Sequence, residues 1–223
     1  MSGAMRSTLL TSLGLAAALG GAAGCGQKKR APVEAPPITE AWSDGYQRSL
    51  LGDDYVDTGG GYRIVDGALS AKGSHNHPLW LRKTLPRDVA IEVDAWSNSP
   101  DGDVKVELFG DGRSYDADRG AYQPTGYIVI MGGWKNSKSM IARKDEHGKE
   151  LVVRTQPRVE PGRRYHWRIV RRGDTIEWFV DDMTTPFLRY QDPAPLDGPD
   201  NAFFAFNNWE SDSWFDDLTV TPL

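Results

Sequence analysis

The stretch that decides the fold is "WRIVRRGDTIEWFVDD", residues 167–182. Apolar and polar side chains alternate on both sides of a turn at Arg172-Gly173-Asp174. Alternation with a period of two places one set of side chains on each face of a β-strand, and a short turn with Gly joins antiparallel strands. This segment is therefore predicted to be a β-hairpin with one apolar face.

The same alternation continues in both directions from this hairpin. Further strands are predicted in "GYRIVDGALSAKG", "VAIEVDAWS", "GDVKVELFGDG", "TGYIVIMGGW", "SKSMIARKD", "KELVVRT" and "NAFFAFNN". Helical periodicity is scarce beyond residue 42, and turns with Gly, Pro or Asp separate the strands. About a dozen short strands of this kind favour an all-β fold, a two-sheet antiparallel sandwich or jelly roll.

The composition indicates a single domain with a real core and argues against nucleic-acid binding. The chain has 223 residues and a net charge of −5, and its basic residues form no strong cluster. A polycationic face is the usual footprint of nucleic-acid binding, so we expect no nucleic-acid partner. Eight Trp and eight Tyr residues supply rings for a core and for ligand contacts.

The N-terminal segment "MRSTLLTSLGLAAALGGAAGC" has the organisation of a secretory signal. A positive start precedes an apolar stretch and small residues before Cys25. Its "AAGC" resembles the bacterial lipobox, in which the cysteine is lipidated and becomes the new N-terminus. Ala22 occupies the position that is most often Leu in that motif. The alternative is an ordinary secretory signal in which the cysteine has no role.

We therefore expect three parts: a signal peptide at residues 1–24, a lipidated Cys25 with a tether at residues 25–40, and a sandwich domain at residues 41–223. The tether sequence "GQKKRAPVEAPPITE" is charged and Pro-rich, which is typical of extended linkers. Acyl chains such as palmitate would anchor Cys25 in a membrane. Gly26 follows the cysteine, and by resemblance to the bacterial sorting pattern this favours the outer membrane of a Gram-negative envelope.

Several segments together resemble the concanavalin A-like lectin/glucanase superfamily, which includes laminin G-like and glycoside hydrolase family 16-like sandwiches. "WSDGYQRSLLGDDYVDTGGGYRIVDGALSAKG" resembles the first hairpin of that group, "PGRRYHWRIVRRGDTIEWFVDD" a later hairpin, and "FDDLTV" its terminal strand. "GYIVIMGGWKNSKSMIAR" is similar to a segment of members near polysaccharide lyases and keto-disaccharide hydrolases. The resemblance covers residues 42–223 and implies the sandwich fold, whereas activity has to be argued from the site.

One strand invites comparison with glycoside hydrolase family 16. In "IEVDAWS", Glu92 and Asp94 match the first two acids of that family's strand motif, but Trp96 takes the place of the third. Retaining hydrolysis needs two carboxyl groups about 5–5.5 Å apart, so the resemblance leaves the acid/base position unfilled. Because the three residues occupy every second position of one strand, we expect their side chains to share one polar face, as catalytic groups or as part of a binding groove.

Two aromatic segments predict a glycan site. "GGWKNSKSMIAR" contains Trp134, Asn136 and Arg143, and "FNNWES" contains Asn207 and Trp209. Sugar sites combine an aromatic face with a few hydrogen-bonding side chains. A guanidinium such as that of Arg143 also suits a uronate carboxylate. The alternative is that these tryptophans only cover the sheet.

An enzyme on the same scaffold is the alternative function. A polysaccharide lyase needs a base, for which Tyr127 and His166 are candidates, and a cation that neutralises the uronate, for which Arg143 and Arg168 are candidates. Glycan binding, with Trp96 and Arg168 among the ligand contacts, is the preferred prediction. A glycoside hydrolase or lyase comes second, and a structural or interaction lipoprotein without sugar affinity comes third.

The closing "FDDL" raises the question of a metal site. In the resembled fold the first and last strands lie side by side, which would bring Asp44 of "WSDGY" to Asp216. Neighbouring carboxylates repel unless one is protonated or a cation lies between them, and Ca²⁺ prefers such oxygen ligands. The resemblance thus implies a structural Ca²⁺ at Asp44 and Asp216. The alternative is that Asp216 caps a loop and Asp217 is solvated.

Overall fold

The structure is a computed structural model that describes Met1 and residues 31–115, 122–149 and 151–223. The signal peptide and the lipidated Cys25 that the sequence predicts lie outside these described residues. Pro32–Leu223 form one compact unit. Among the described residues, no helix has the length and apolar character needed to cross a membrane.

Eight of the strands form one antiparallel sheet. Its order is β13-β12-β11-β6-β15-β4-β3, and β1 also pairs with β15. The strands are β1 (Trp42–Asp44), β3 (Arg63–Val65), β4 (Ala68–Ser70), β6 (Val89–Ser97), β11 (Tyr165–Arg172), β12 (Thr175–Val180), β13 (Leu188–Gln191) and β15 (Ser213–Pro222).

Seven strands form the second antiparallel sheet, in the order β10-β9-β8-β7-β14-β5-β2. They are β2 (Tyr55–Asp57), β5 (Leu79–Leu81), β7 (Val104–Gly110), β8 (Tyr127–Gly132), β9 (Lys138–Arg143), β10 (Leu151–Arg154) and β14 (Phe203–Asn207). The one described helix, α1 (Gly133–Asn136), is a single turn between β8 and β9.

The core lies between the two sheets, as the alternating sequence requires. Val89, Ile91, Val93 and Ala95 on β6 face inward and pack in the same cluster as alternate residues of the seven-stranded sheet, which are Val104, Val106, Leu108, Val129, Met131, Phe204 and Phe206. Burial of these side chains supplies most of the driving force for the sandwich. The predicted all-β, two-sheet antiparallel sandwich is confirmed.

The hairpin at residues 167–182 forms as the sequence predicts. β11 pairs with β12 from Trp167↔Val180 to Arg172↔Thr175, so the turn consists of Gly173 and Asp174. Gly173 has φ 57, a left-handed value that two-residue hairpin turns need and that Gly adopts at little cost. The Trp167 and Trp178 rings from the two strands meet in the core with centroids 4.8 Å apart.

The first and last strands also pair as expected, but with an irregularity. β1 pairs with β15 through Asp44↔Leu218, while the register between β15 and β6 shifts between Asp216 and Thr219. A β-bulge of this kind changes the direction of the bulged strand and re-aims its side chains. Asp217 lies in the bulge with φ 49.

Packing on the sandwich begins before residue 41, where the sequence placed the start of the domain. The N–H of Ile38 donates to the carbonyl of Thr84 at 3.0 Å, and the Ile38 side chain is only 5% exposed within the core cluster. Val33 and Ala35 pack near Trp80 on the other side of the seven-stranded sheet. The last part of the predicted tether is therefore a packed segment, because it contains the apolar residues that the sheet needs to cover its surface.

Candidate functional site

A cavity of about 610 Å³ lies on the outer face of the seven-stranded sheet. Outward-facing residues of β7 and β8 form its floor, since Lys105 and Ile130 alternate with core residues on these strands. Side chains from the flanking loops form the walls. The cavity is lined by Asn76, Ser99, Asp101, Asp103, Lys105, Ile130, Trp134, Lys135, Glu146, His147, Trp209, Glu210 and Ser211.

One wall of the cavity is Trp134, which a strained turn holds in place. Trp134, Lys135 and Asn136 all have positive φ, at 51, 55 and 57, so α1 has a left-handed backbone. Such residues cost on the order of 1–2 kcal/mol each and persist only where their surroundings enforce them. The Trp134 ring packs on the outer apolar cluster of Ile128, Ile130, Met140 and Ala142, and the ammonium of Lys138 lies 3.9 Å from its centroid.

The predicted ligand residue Asn136 is what enforces this turn. Its Nδ2 donates to the carbonyls of Pro100 at 3.1 Å and Val159 at 2.7 Å, and its Oδ1 accepts from the N–H of Val159 at 2.8 Å. The side chain is buried, and these bonds use its amide on both sides. Asn136 therefore positions Trp134 and does not reach the cavity.

The second wall is Trp209, which follows β14. The tight turn at residues 74–77 fixes this segment, because the N–H groups of His75 and Asn76 donate to the carbonyls of Trp209 at 3.0 Å and Asn208 at 2.7 Å. The Trp209 side chain is 48% exposed. A large ring held by its backbone but left open to solvent has the form of a binding surface.

Lys105 is buried at the floor of the cavity between these walls. Its side chain is 2% exposed. The Nζ donates to Oδ1 of Asn76 at 2.6 Å and to Oε2 of Glu146 at 3.3 Å. A buried ammonium requires such partners, and Lys105 has acquired a carboxylate and an amide from two separate loops.

Asp103 sits beside Lys105 and is less well satisfied. Its Oδ2 accepts from the N–H of Trp209 at 3.3 Å, and this is the one hydrogen bond to its carboxylate among the described residues. Burial raises the pKa of Asp103, the charge of Glu146 raises it further, and Lys105 opposes the shift. The carboxylate thus retains acceptor capacity toward the cavity.

Glu107 is the next outward residue of β7 and is fully enclosed. Its carboxylate accepts from the N–H groups of Thr125 at 2.8 Å and Gly126 at 2.6 Å and from the hydroxyl of Tyr122. Burial raises the pKa of Glu107 to about 7 against these hydrogen bonds. This group ties the segment after residue 121 to the sheet.

The predicted ligand residue Asn207 lies under the same segment. It is fully buried, and its Oδ1 accepts from the N–H of Asn208 at 2.7 Å. Its Nδ2 makes no hydrogen bond to any described residue. Burial and the neighbouring Glu107 raise the pKa of the Tyr122 hydroxyl well above its usual value, and the Asn207 side chain opposes that rise. Asn207 is thus close to the cavity floor and does not line it.

Glu92, Asp94 and Trp96 share a face, as expected, but it is the outer face of the other sheet. The alternation in the sequence predicts their shared face without indicating which sheet carries the cavity, and these three residues do not line the cavity. The ring of His166, on the neighbouring β11, lies 2.8 Å from Asp94 and 3.3 Å from Glu92. Burial lowers the pKa of His166, but these two carboxylates outweigh it and raise that pKa.

Arg168 and Trp96 complete this surface of the eight-stranded sheet. Arg168 Nε lies 3.6 Å from Glu92 Oε1. The Trp96 ring stacks on Trp214 with centroids 6.0 Å apart, and the guanidinium of Arg164 lies 4.1 Å from the Trp96 centroid. These residues form a surface network on the side of the sandwich away from the cavity.

Tyr127 and Arg143 come together away from both surfaces. The Tyr127 hydroxyl donates to Asp192 Oδ2 at 2.7 Å, and Arg143 Nε donates to the same oxygen at 2.9 Å. Tyr127 is buried in the core. The four candidates for a lyase site are therefore divided, because His166 and Arg168 lie on the outer face of the other sheet. They cannot act on one substrate, which corrects that prediction.

The arrangement does not fit a calcium ion shared by Asp44 and Asp216. Asp44 pairs with core-facing Leu218, whereas Asp216 pairs with outward-facing Asp94, so the two carboxylates lie on opposite faces of the sheet. Among the described residues, no cluster of three or more acidic, His or Cys side chains is arranged to hold a metal. The bulge after Asp216 separates the two groups.

Each of these carboxylates has an arginine instead. Arg48 donates to both oxygens of Asp44, at 2.5 and 2.7 Å, and the Tyr55 hydroxyl adds a third bond at 2.9 Å. Burial raises the pKa of Asp44, but these hydrogen bonds outweigh it and hold that pKa below its usual value. Arg164 Nη1 lies 3.1 Å from Asp216.

Sequence reasoning found both tryptophans of the cavity and missed its charged floor. Asp103, Lys105 and Glu107 alternate in "DVKVE", which is also the pattern of an ordinary strand with one solvated face. The features of the sequence that could have indicated the floor are Gly132 and Gly133, at the end of the strand that pairs with this segment. Neither glycine indicates that loops cover that face of the sheet.

Comparison with solved structures places this architecture among known sandwiches. The carbohydrate binding module CBM66 from Bacillus subtilis superposes with a TM-score of 0.59 at 14% identity, covering 77% of this chain and 97% of the module. The structures that superpose on this chain are galectin-like or concanavalin-like β-sandwiches, so the likeness is one of fold. The laminarinase from Rhodothermus marinus gives a TM-score of 0.54 at 17% identity, covering 86% of this chain and 99% of the enzyme.

A third structure, the exoplasmic/lumenal domain of VIP36 in a Ca²⁺/Man2-bound form, gives a TM-score of 0.59 at 8% identity, covering 82% of this chain and 88% of that domain. In sequence, a family model described as "Farnesoic acid 0-methyl transferase" matches residues 116–217, which is less than half of the chain. This segment includes Trp134 and Trp209 but not Asp103 or Lys105. No curated protein matches the sequence.

Proposed function

We propose that this protein is an envelope-anchored lipoprotein whose sandwich binds a glycan in the cavity on the seven-stranded sheet. The observation that carries the proposal is the pairing of Trp134 and Trp209 with the polar floor formed by Asp103 and Lys105. Aromatic rings contact the C–H faces of a sugar, and buried polar groups bind its hydroxyls.

The fold supports this function without assigning it. The superposed structures include proteins named as a carbohydrate binding module, a laminarinase and a domain in a Ca²⁺/Man2-bound form. Fold alone does not fix function, so the proposal rests on the cavity. Binding without cleavage is preferred over hydrolysis, because Glu92 and Asp94 lie on the other sheet and both contact His166.

The experiment that tests the proposal is a glycan panel probed with residues 26–223, which contain the whole compact unit Pro32–Leu223. Wild type should bind a subset of glycans without consuming them, and Trp209→Ala should clearly weaken the signal. Trp214→Ala, a half-buried ring on the other sheet, is the matched control and should bind normally. Release of smaller products would instead favour the glycoside hydrolase or lyase, and the absence of binding would favour a structural lipoprotein.

The membrane anchor is part of the same proposal and is tested separately. Lipid chains on Cys25 would hold the protein in the outer membrane, since buried acyl chains supply the affinity. Cys25→Ala should move the protein from the membrane fraction to the soluble secreted fraction. If Cys25→Ala still pellets with membranes after a high-salt wash, the anchor is not a lipid on this residue.

A further inference from the structure

The charge of the cavity is not balanced. Four acids line it against two lysines and one histidine; the acids are Asp101, Asp103, Glu146 and Glu210, and the bases are Lys105, Lys135 and His147. Asp101 and Glu210 are exposed at the edge. A negative electrostatic potential in a cleft concentrates cations and repels anions.

Lys105 does not offset this excess for a ligand. Its side chain is only 2% exposed, and its ammonium already binds Glu146 at 3.3 Å and Asn76 at 2.6 Å. To bind a carboxylate on a sugar, Lys105 would have to give up Glu146 and leave that acid without its cation. Replacing Glu146 with a sugar carboxylate leaves the number of ion pairs unchanged, and it costs free energy because a further anion has to be desolvated.

Asp103 is a partly buried carboxylate at the cavity with few hydrogen-bond donors among the described residues. Glu107, four residues further along the chain, accepts from two backbone N–H groups and the Tyr122 hydroxyl. Asp103 accepts a single bond of 3.3 Å from Trp209 among the described residues. A partly buried carboxylate with a single long hydrogen bond is stabilised when a ligand supplies a further donor. A charged donor binds the carboxylate about twice as strongly as a neutral donor.

From this asymmetry we infer that the preferred glycan carries a free amino group, whose ammonium binds Asp103 beside Glu146. The inference rests on the proposed glycan site and specifies its substrate class. An ammonium supplies both the missing donors and the positive charge, whereas a uronate adds a further anion to a site that already holds an excess. N-acetylation removes the charge and leaves the sugar ring unchanged, so it isolates this contact.

The test is calorimetry of residues 26–223 with matched pairs of probes. These are glucosamine and galactosamine oligosaccharides, their N-acetylated forms, and oligogalacturonate as the acidic probe. The free-amine forms should bind about tenfold more tightly or better, the range expected for a hydrogen bond to a charged group. Asp103→Asn should remove most of that preference. Asp66→Asn makes the same charge change in the exposed β3–β4 turn and should leave the preference intact.

The outcomes separate the inference from the function on which it rests. Equal or tighter binding of the acetylated or acidic probes, lost in Trp209→Ala, overturns the amino-sugar inference and retains the glycan site. No binding of the amino forms by wild type also overturns the inference, and no binding across the whole panel overturns the glycan site as well. If Asp103→Asn does not melt cooperatively, Glu146→Gln replaces it, because releasing Lys105 from its partner should weaken the preference for an ammonium in the same direction.

Discussion

The backbone N–H of Trp209 donates to Oδ2 of Asp103 at 3.3 Å. This bond joins the exposed aromatic wall of the cavity to the carboxylate at its floor. β14, which leads to Trp209, is hydrogen-bonded to β7, which begins just after Asp103. The ring and the acid are therefore positioned by adjacent strands of one sheet, which gives a binding site a rigid base.

Glu107 predicts how stability depends on pH. Its pKa is about 7 in the folded protein against 4.5 for the free group. Because the folded pKa is raised, the stabilising contribution is complete below pH 4.5 and is lost as the pH rises through 7. The free energy of unfolding should fall by up to roughly 3 kcal/mol across this window. Glu107→Gln should flatten that part of the profile, measured by urea denaturation.

His166 acts in the same direction and provides the control. Its pKa is raised above 6.5, so its contribution is complete below pH 6.5 and is lost as the pH rises through the folded value. His166→Gln should change the profile only above pH 6.5, whereas Glu107→Gln acts below 7. Parallel profiles for Glu107→Gln and wild type would show that this carboxyl is not the titrating group.

Because Asp44 and Asp216 each have their own arginine partner, we predict that calcium does not change the stability of the protein. Calcium and a chelator should give the same melting temperature, because the two carboxylates lie on opposite faces of the sheet and each is paired with an arginine. Arg48→Ala should destabilise the fold by about 1–3 kcal/mol, since it leaves the buried Asp44 without its charged donor. Arg63→Ala, at an exposed position of β3, should have little effect. A rise in melting temperature with calcium that disappears in Asp44→Asn would restore the shared ion.

The packing of Ile38 predicts that the end of the tether contributes to stability. Ile38→Ala should cost about 2–5 kcal/mol, the range for a buried Ile replaced by Ala, because the side chain is 5% exposed in the core cluster. Val65→Ala, where 39% of the residue is exposed, is the comparison and should be nearly neutral. Identical chemical denaturation curves for Ile38→Ala and wild type would mean that residues 26–40 are a tether throughout.

The sequence was sufficient for the fold because the evidence for each strand is local. The alternation in residues 167–182 determines two strands, and Gly173 determines the turn between them. Trp134 and Trp209 were recognised from aromatic rings next to Gly and Asn. Each of these features depends only on residues that are neighbours in sequence, so a single sequence is enough to predict it.

The charged floor of the cavity, and the choice of the sheet that carries the cavity, required long-range information. Glu92 and Asp94 occupy alternate positions of β6 as Lys105 and Glu107 do of β7, and only the sheet order and the covering loops distinguish the two faces. The bulge after Asp216 likewise depends on how β15 pairs with two neighbours. The face to which a side chain points after a bulge cannot be obtained by counting alternate residues in the sequence. The prediction that Asp44 lies next to Asp216 was therefore wrong.

The most direct test of the glycan site is a calorimetric titration of wild type, Trp209→Ala and Trp214→Ala with the glycan that binds best in the panel. Trp209→Ala should lose about 1–2 kcal/mol of binding free energy with an unchanged melting temperature, because that ring is 48% exposed. Trp214→Ala should bind like wild type. Wild-type affinity in Trp209→Ala together with a loss in Trp214→Ala would place the site on the eight-stranded sheet and contradict the account.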